Sequence, residues 1–166
     1  MNQEYMRDLS KQYKEALEPL LRYLPWLESH AGKQTGSSYN GRMDGNNTMS
    51  FPVYDSTLLS FVKEAGKSSF MDRNYAYIYS RKHLRTPEDE RKAIKAATIR
   101  EWDVLCGILS KYVLGGNAKA ILWTQAVQEN IFLLVVEKMQ EIVEYWDRRL
   151  EREEGIREIA ARMGMK

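Results

Sequence analysis

Apolar positions recur through most of this chain at intervals of three and four, the spacing of helices that bury one face. Over residues 4–24 they fall at Tyr5, Leu9, Tyr13, Ala16, Leu17, Leu20, Leu21 and Leu24, which predicts a first helix. Pro19 interrupts it, lacking an amide donor and crowding the preceding turn. A kink or a fresh start near Glu18 is therefore expected, with Pro25 and Trp26 closing the segment. Leu58, Leu59, Phe61 and Val62 predict another helix, with Asp55 as N-cap and Gly66 as terminator.

Thr86 before Pro87, followed by Glu88, Asp89 and Glu90, reads as a helix start, and Thr98 with Glu101 three residues on has capping-box spacing. A break near Ala97 would separate a short basic helix from a core helix carrying Ile99, Trp102, Leu105, Cys106, Leu109, Tyr112 and Val113, ended by Gly115 and Gly116. Residues 118–129 predict a shorter helix presenting Ile121, Leu122, Ala126 and Trp123, with Asn130 as a candidate cap for the next. That next helix has apolar residues at 131, 132, 135, 139, 142, 143 and 146 and is expected to be the most buried. Val135 and Val136 admit a strand for its first turns, but the later spacing favours helix. Residues 150–166 read as a charged amphipathic tail, frayed or docking on itself or a partner, with Ile156, Ile159, Ala160 and Met163 recurring after Gly155.

Two stretches break the pattern. Residues 31–50 hold four glycines with Ser, Asn and Thr and almost nothing apolar, which predicts a flexible loop. Its Gly-Lys-Gln-Thr-Gly fragment lacks the Ser or Thr after Lys33 and the preceding strand that a phosphate-binding loop requires. In residues 71–85, tyrosines alternate at 75, 77 and 79 between Arg73 and Arg81. As a strand, this segment would set Arg73, Tyr75, Tyr77, Tyr79 and Arg81 on one face, but the other face would bury only Ile78. A helix starting near Met71 instead gives an inward stripe of Met71, Tyr75, Ile78 and Tyr79 and an outward row of Arg73, Tyr77, Arg81 and Arg85, and is preferred.

The sum is an all-α fold, one domain over residues 1–166 with six or seven helices packed around the 131–146 helix. At 166 residues with 43% hydrophobic content, a single core without covalent staples is expected. The lone Cys106 excludes an internal disulfide, fits a reducing, cytoplasmic setting, and falls on an apolar helix side where a structural thiol is the simpler reading. The first residues carry charges too often for a secretory signal, and the apolar run 131–136 is far shorter than a membrane span, so no membrane association is expected. His30 and His83 sit beside no recognisable ligand or nucleophile, so no catalytic, cofactor or metal residues are assigned.

Net charge is +2, but residues 67–100 hold 9 Lys/Arg against 4 Asp/Glu while both flanking regions are net acidic. Such a block suggests an anionic partner, although a solvated helix face paired by neighbouring helices is the commoner origin of one. The candidate anion or nucleic-acid residues are Arg73, Tyr77, Arg81, Lys82, Arg85, Arg91, Lys92 and Lys95.

Leu-Pro-Trp-Leu-Glu (24–28), residues 51–65, residues 71–81 and the run 105–147 together resemble a domain-of-unknown-function family of small bacterial proteins. It is common in gut Gram-positive bacteria and often encoded on integrative and conjugative elements. The resemblance covers 24–147 and is strongest from Trp102 onward. It implies a helical fold and a mobile-element setting, but no reaction or ligand. The family's arginine-rich segment after the Trp102 helix is replaced here by residues 113–123, with Lys119 the only charge. The expected role is a non-catalytic binding or regulatory protein of a mobile element, acting through protein contacts or through nucleic acid held by the basic stretch. The alternative is an inhibitor or adaptor that binds a host protein through the 32–49 loop or the tail, and an enzyme comes third. The tail also offers a route to a homo-oligomer.

Overall fold

The computed structural model describes residues 3–33, 36–43 and 47–164; residue 3 and the strand residues are described by backbone path alone. Gln3–Leu21 forms α1, Leu24–Ser29 α2, Ser56–Lys67 α3, Tyr75–Arg81 α4 and Pro87–Ala96 α5. After a 3-10 turn at Ile99–Glu101 come α6 (Trp102–Gly115), α7 (Ile121–Gln128) and α8 (Ile131–Arg162). The architecture is all-α in its packed body, with one appended antiparallel hairpin of β1 (Gly36–Met43) and β2 (Asn47–Tyr54), in register from Gly36 opposite Tyr54 to Met43 opposite Asn47.

That hairpin corrects the expectation of a flexible loop over 31–50. Paired strands satisfy each other's backbone groups without an apolar face. The usable signal was Asp44-Gly45, a hairpin dipeptide; residues 34–35 and 44–46 themselves lie outside the described residues. Pro52 is compatible because in a two-stranded ribbon both strands are edges.

The first helix also differs from expectation. It runs through Pro19 without a fresh start, since Leu17 and Leu20 on either side are fully buried and outweigh one lost amide bond. Pro25 and Trp26 open α2 rather than closing α1, proline occupying the first turn, where no amide partner is needed.

Capping fixes several other ends. Asp55 accepts from the Thr57 amide at 2.7 Å, although α3 continues through Gly66 to Lys67 and leaves Leu59 exposed. Thr86 with Asp89 and Thr98 with Glu101 both form reciprocal capping boxes, which place the break at Ala97. Asn130 does not cap α8 with its side chain. It takes a left-handed turn (φ 63°), and its Oδ1 accepts from the Gly32 amide at 2.7 Å, tying the segment after α2 to the α7–α8 corner.

The long helix is the spine. α1, α2, α5, α6 and α7 all pack on α8, whose Ile131, Phe132, Val135, Val136 and Met139 are fully buried. Phe132 meets Phe61 at 4.9 Å and Tyr112 at 6.3 Å between ring centres, and Tyr13 stacks on Trp102 at 4.1 Å. α8 does not fray after Trp146: its 32 residues extend about 48 Å at 1.5 Å per residue, passing through Gly155. Arg7 pairs with Glu153 at 2.9 Å and Lys14 with Asp147 at 2.5 Å, so α1 runs antiparallel beside the distal half and supports it.

Candidate functional site

The basic middle of the chain comes first. Helix α4 begins at Tyr75, not Met71, because the Asp72 carboxylate accepts the Asn74 amide in a turn and the Asp72 amide is itself held by the Ser110 hydroxyl at 2.8 Å. It ends after Arg81 because His83 adopts φ 54°, with the Leu84 amide reaching back to the Tyr79 carbonyl and the His83 amide to Ser80. This left-handed reversal is the helix stop glycine usually provides. Arg73 and Arg85 therefore lie outside the helix, and the four-residue row of Arg73, Tyr77, Arg81 and Arg85 does not form. Within α4 the tyrosines divide as expected: Tyr77 is 57% exposed, while Tyr75 and Tyr79 turn inward.

Three of the seven predicted cations have acidic partners, two from other elements and one on the same helix. Arg81 donates to Asp103 at 2.7 Å and lies 5.6 Å from the Tyr77 ring centre; the Asp103 hydrogen bond raises its already high pKa. Arg91 reaches both the backbone carbonyl (3.2 Å) and the carboxylate (2.8 Å) of Glu129, closing the C-terminal end of α7. Lys92 pairs with Glu88 at 3.4 Å. Lys82 and Lys92 line a shallow cavity of about 360 Å³ together with Asp89 and Glu101. The backbone amides of Arg85 and Thr86 lower the Asp89 pKa, and the Thr98 hydroxyl lowers that of Glu101, so both carboxylates stay ionised. Arg73, Arg85 and Lys95 are exposed at separate places. Of the eight residues, the structure brings together Tyr77 with Arg81 and Lys82 with Lys92.

Under this surface Glu90, only 1% exposed, joins three helices. Its carboxylate accepts from the Tyr112 hydroxyl of α6 at 2.6 Å and from the Tyr79 hydroxyl of α4, with Lys111 Nζ 3.6 Å away. Both carboxylate oxygens are thus engaged internally. Burial pushes the Cys106 thiol up to about 12, leaving it protonated at neutral pH. Among the described residues no group of three or more His, Cys, Asp or Glu side chains is placed to hold a metal ion, and no helix is long and apolar enough to cross a membrane.

A larger groove than the shallow cavity beside Lys82 and Lys92 lies where α8 emerges from the body. A cavity of about 550 Å³ has an apolar floor of Met6, Ile99, Ile142 and Trp146 and a rim that includes Arg100, Arg148 and Arg149. A second, of about 500 Å³, continues along α8 past Arg152 to Ile156 and shares Tyr145, Arg148 and Arg149 with the first. Arg149 lies 5.3 Å from the Trp146 ring centre and reaches the Tyr145 hydroxyl at 3.4 Å. The side chains of Arg100, Arg148 and Arg152 have no ion pair among the described residues. Sequence reasoning missed these arginines as a group. They are interspersed with Glu151, Glu153 and Glu154, and only the continuity of α8 turns Glu151 and Glu154 away from them, while Glu153 lines the same groove and pairs with Arg7.

Comparison of the chain with known protein families, curated proteins and solved structures found no match.

Proposed function

We propose that this chain is a non-catalytic binding protein whose working surface is the arginine-bearing face of α8 and the groove at its base. A regulatory, inhibitory or adaptor role fits this reading, in the mobile-element setting that the family resemblance implies. The observation that carries it is the contrast between two basic surfaces. The middle segment splits between cations paired within the fold (Arg81, Arg91 and Lys92) and exposed ones without an ion pair (Arg73, Lys82, Arg85 and Lys95), whereas Arg100, Arg148 and Arg152, none of them ion-paired among the described residues, line adjoining grooves with apolar Met6, Ile99, Ile142, Trp146 and Ile156. Cations left unpaired beside an apolar floor suit a partner that supplies both charge and hydrophobic contact. The two most suggestive chemical groups are occupied or protonated: Glu90 by its tyrosines and Cys106 by burial.

A displayed library of helical peptides, selected against the full chain and counter-selected against R148E/R152E, tests the reading. Enriched peptides are expected to bind the wild-type chain and lose at least about tenfold in affinity for the double variant. Peptides that bind both equally would move the working surface away from α8.

The exposed Tyr77–Arg81 pair favours a second reading, nucleic acid held along the basic middle with Lys82 and Lys92. Binding of short DNA or RNA that weakens with salt and is abolished by R81E/K92E would support it; no binding at low salt would retire it.

A further inference from the structure

From the register of α8 we infer that the partner's docking element is an acidic amphipathic helix laid along residues 142–163; this deepens the binding reading above and rests on it. Residues 142, 145, 149, 152, 156, 159 and 163 follow one another at alternating steps of three and four, the spacing that keeps a seam on one side of a helix. Beyond Ile142, which is 7% exposed, the seam is open: Tyr145 is 50% exposed, Ile156 61%, Ile159 57% and Met163 69%. Its centre is occupied by Arg149 and Arg152, with Arg148 alongside. The neighbouring edge, carrying Glu153, is closed by α1 through Arg7.

Charge decides the occupant. A second copy laid parallel would set Arg149 against Arg149 and Arg152 against Arg152. Laid antiparallel about a twofold axis, it would in one register set Arg149 against Arg152 and in the next bring Arg148 beside Arg162 on the open edge, whose other heptad positions are Glu141 and Gly155. Either arrangement sets like charges together, which disfavours a second copy as the occupant. A nucleic acid would leave Ile156, Ile159 and Met163 against phosphate. A helix with carboxylates opposite the central arginines and apolar side chains toward Tyr145 at one end and Ile156, Ile159 and Met163 at the other satisfies every position.

The test uses the full-length chain and a fluorescein-labelled three-heptad helix with Leu at the seam positions and Glu at its centre and flanks, its twin with Lys in place of Glu, and a short DNA. Anisotropy is expected to show binding of the Glu helix and none of the Lys helix. The Glu helix should weaken about tenfold or more with R148E/R152E, and similarly with I156E/I159E, while circular dichroism of both exposed-site variants stays unchanged. Equal binding of both helices, or of neither, overturns the inference. So does a dimer in light scattering that I156E/I159E disperses, which would make a second copy the occupant, or DNA that competes for the same face. If library peptides of neutral or basic composition still depend on α8, the binding reading stands and only the acidic-helix assignment fails.

Discussion

Glu90 shows how one residue ties the helices under the basic surface. Its carboxylate is held by Tyr79 and Tyr112 from α4 and α6, so the position of α5 is set by two hydroxyl donors. Burial, then Glu90, raises the pKa of both tyrosines. A folded-state pKa above the unfolded value of about 10 means that the folded chain holds these protons more tightly. The associated stability is fully present below about pH 10 and is lost as pH rises beyond it. Cys106 adds to the same trend from about pH 9, the ordinary value from which burial raises its thiol. Urea unfolding in a Cys106→Ala background should therefore lose midpoint steadily above pH 10. Tyr79→Phe/Tyr112→Phe should cost about 1–3 kcal/mol at pH 7 and flatten that alkaline slope. Parallel pH curves for the two proteins would contradict this role.

At the scale of elements, α4 and α6 touch through Gly107. A Cβ there would lie 3.0 Å from Cβ, Cγ1 and Cγ2 of Ile78, so the glycine permits the close approach. Alanine normally gains about 0.5–1 kcal/mol over glycine inside a helix. Against that, overpacking costs about 1–3 kcal/mol. Gly107→Ala is expected to destabilise the wild-type chain by about 1 kcal/mol and to stabilise the Ile78→Ala chain, measured as a double-mutant cycle by urea unfolding. The same sign in both backgrounds would show that the contact is not limiting.

Elements whose ends are written locally were legible in the sequence: Asp55, Thr86 and Thr98 lie within three residues of the amides they cap. Less legible were the ends set by distant groups. Asp72 starts α4 with help from Ser110, 38 residues away, and α8 is supported beyond Trp146 by Arg7, 146 residues from its partner. The candidate site divides in the same way. The basic stretch was visible by composition, but the pairing of Arg81 with Asp103 and of Arg91 with Glu129 depends on partners 22 and 38 residues distant. The α8 arginines looked like an ordinary mixed-charge tail until one unbroken helix gave them a common face.

At the scale of the whole molecule, α8 has two parts. Its proximal half is the spine of the core, and its distal half, resting mainly on α1, presents arginines and unburied isoleucines outward. A segment with few buried contacts opens more readily than the core and exchanges its amides sooner, so a bound partner should slow it visibly. Hydrogen exchange of the full-length chain with and without the Glu-bearing helix therefore tests the central claim most directly. The account predicts slowing confined to residues 141–163 and the adjoining 98–100 turn, with 73–95 unchanged. Slowing over 73–95 with α8 unaffected, or no slowing anywhere, would contradict it.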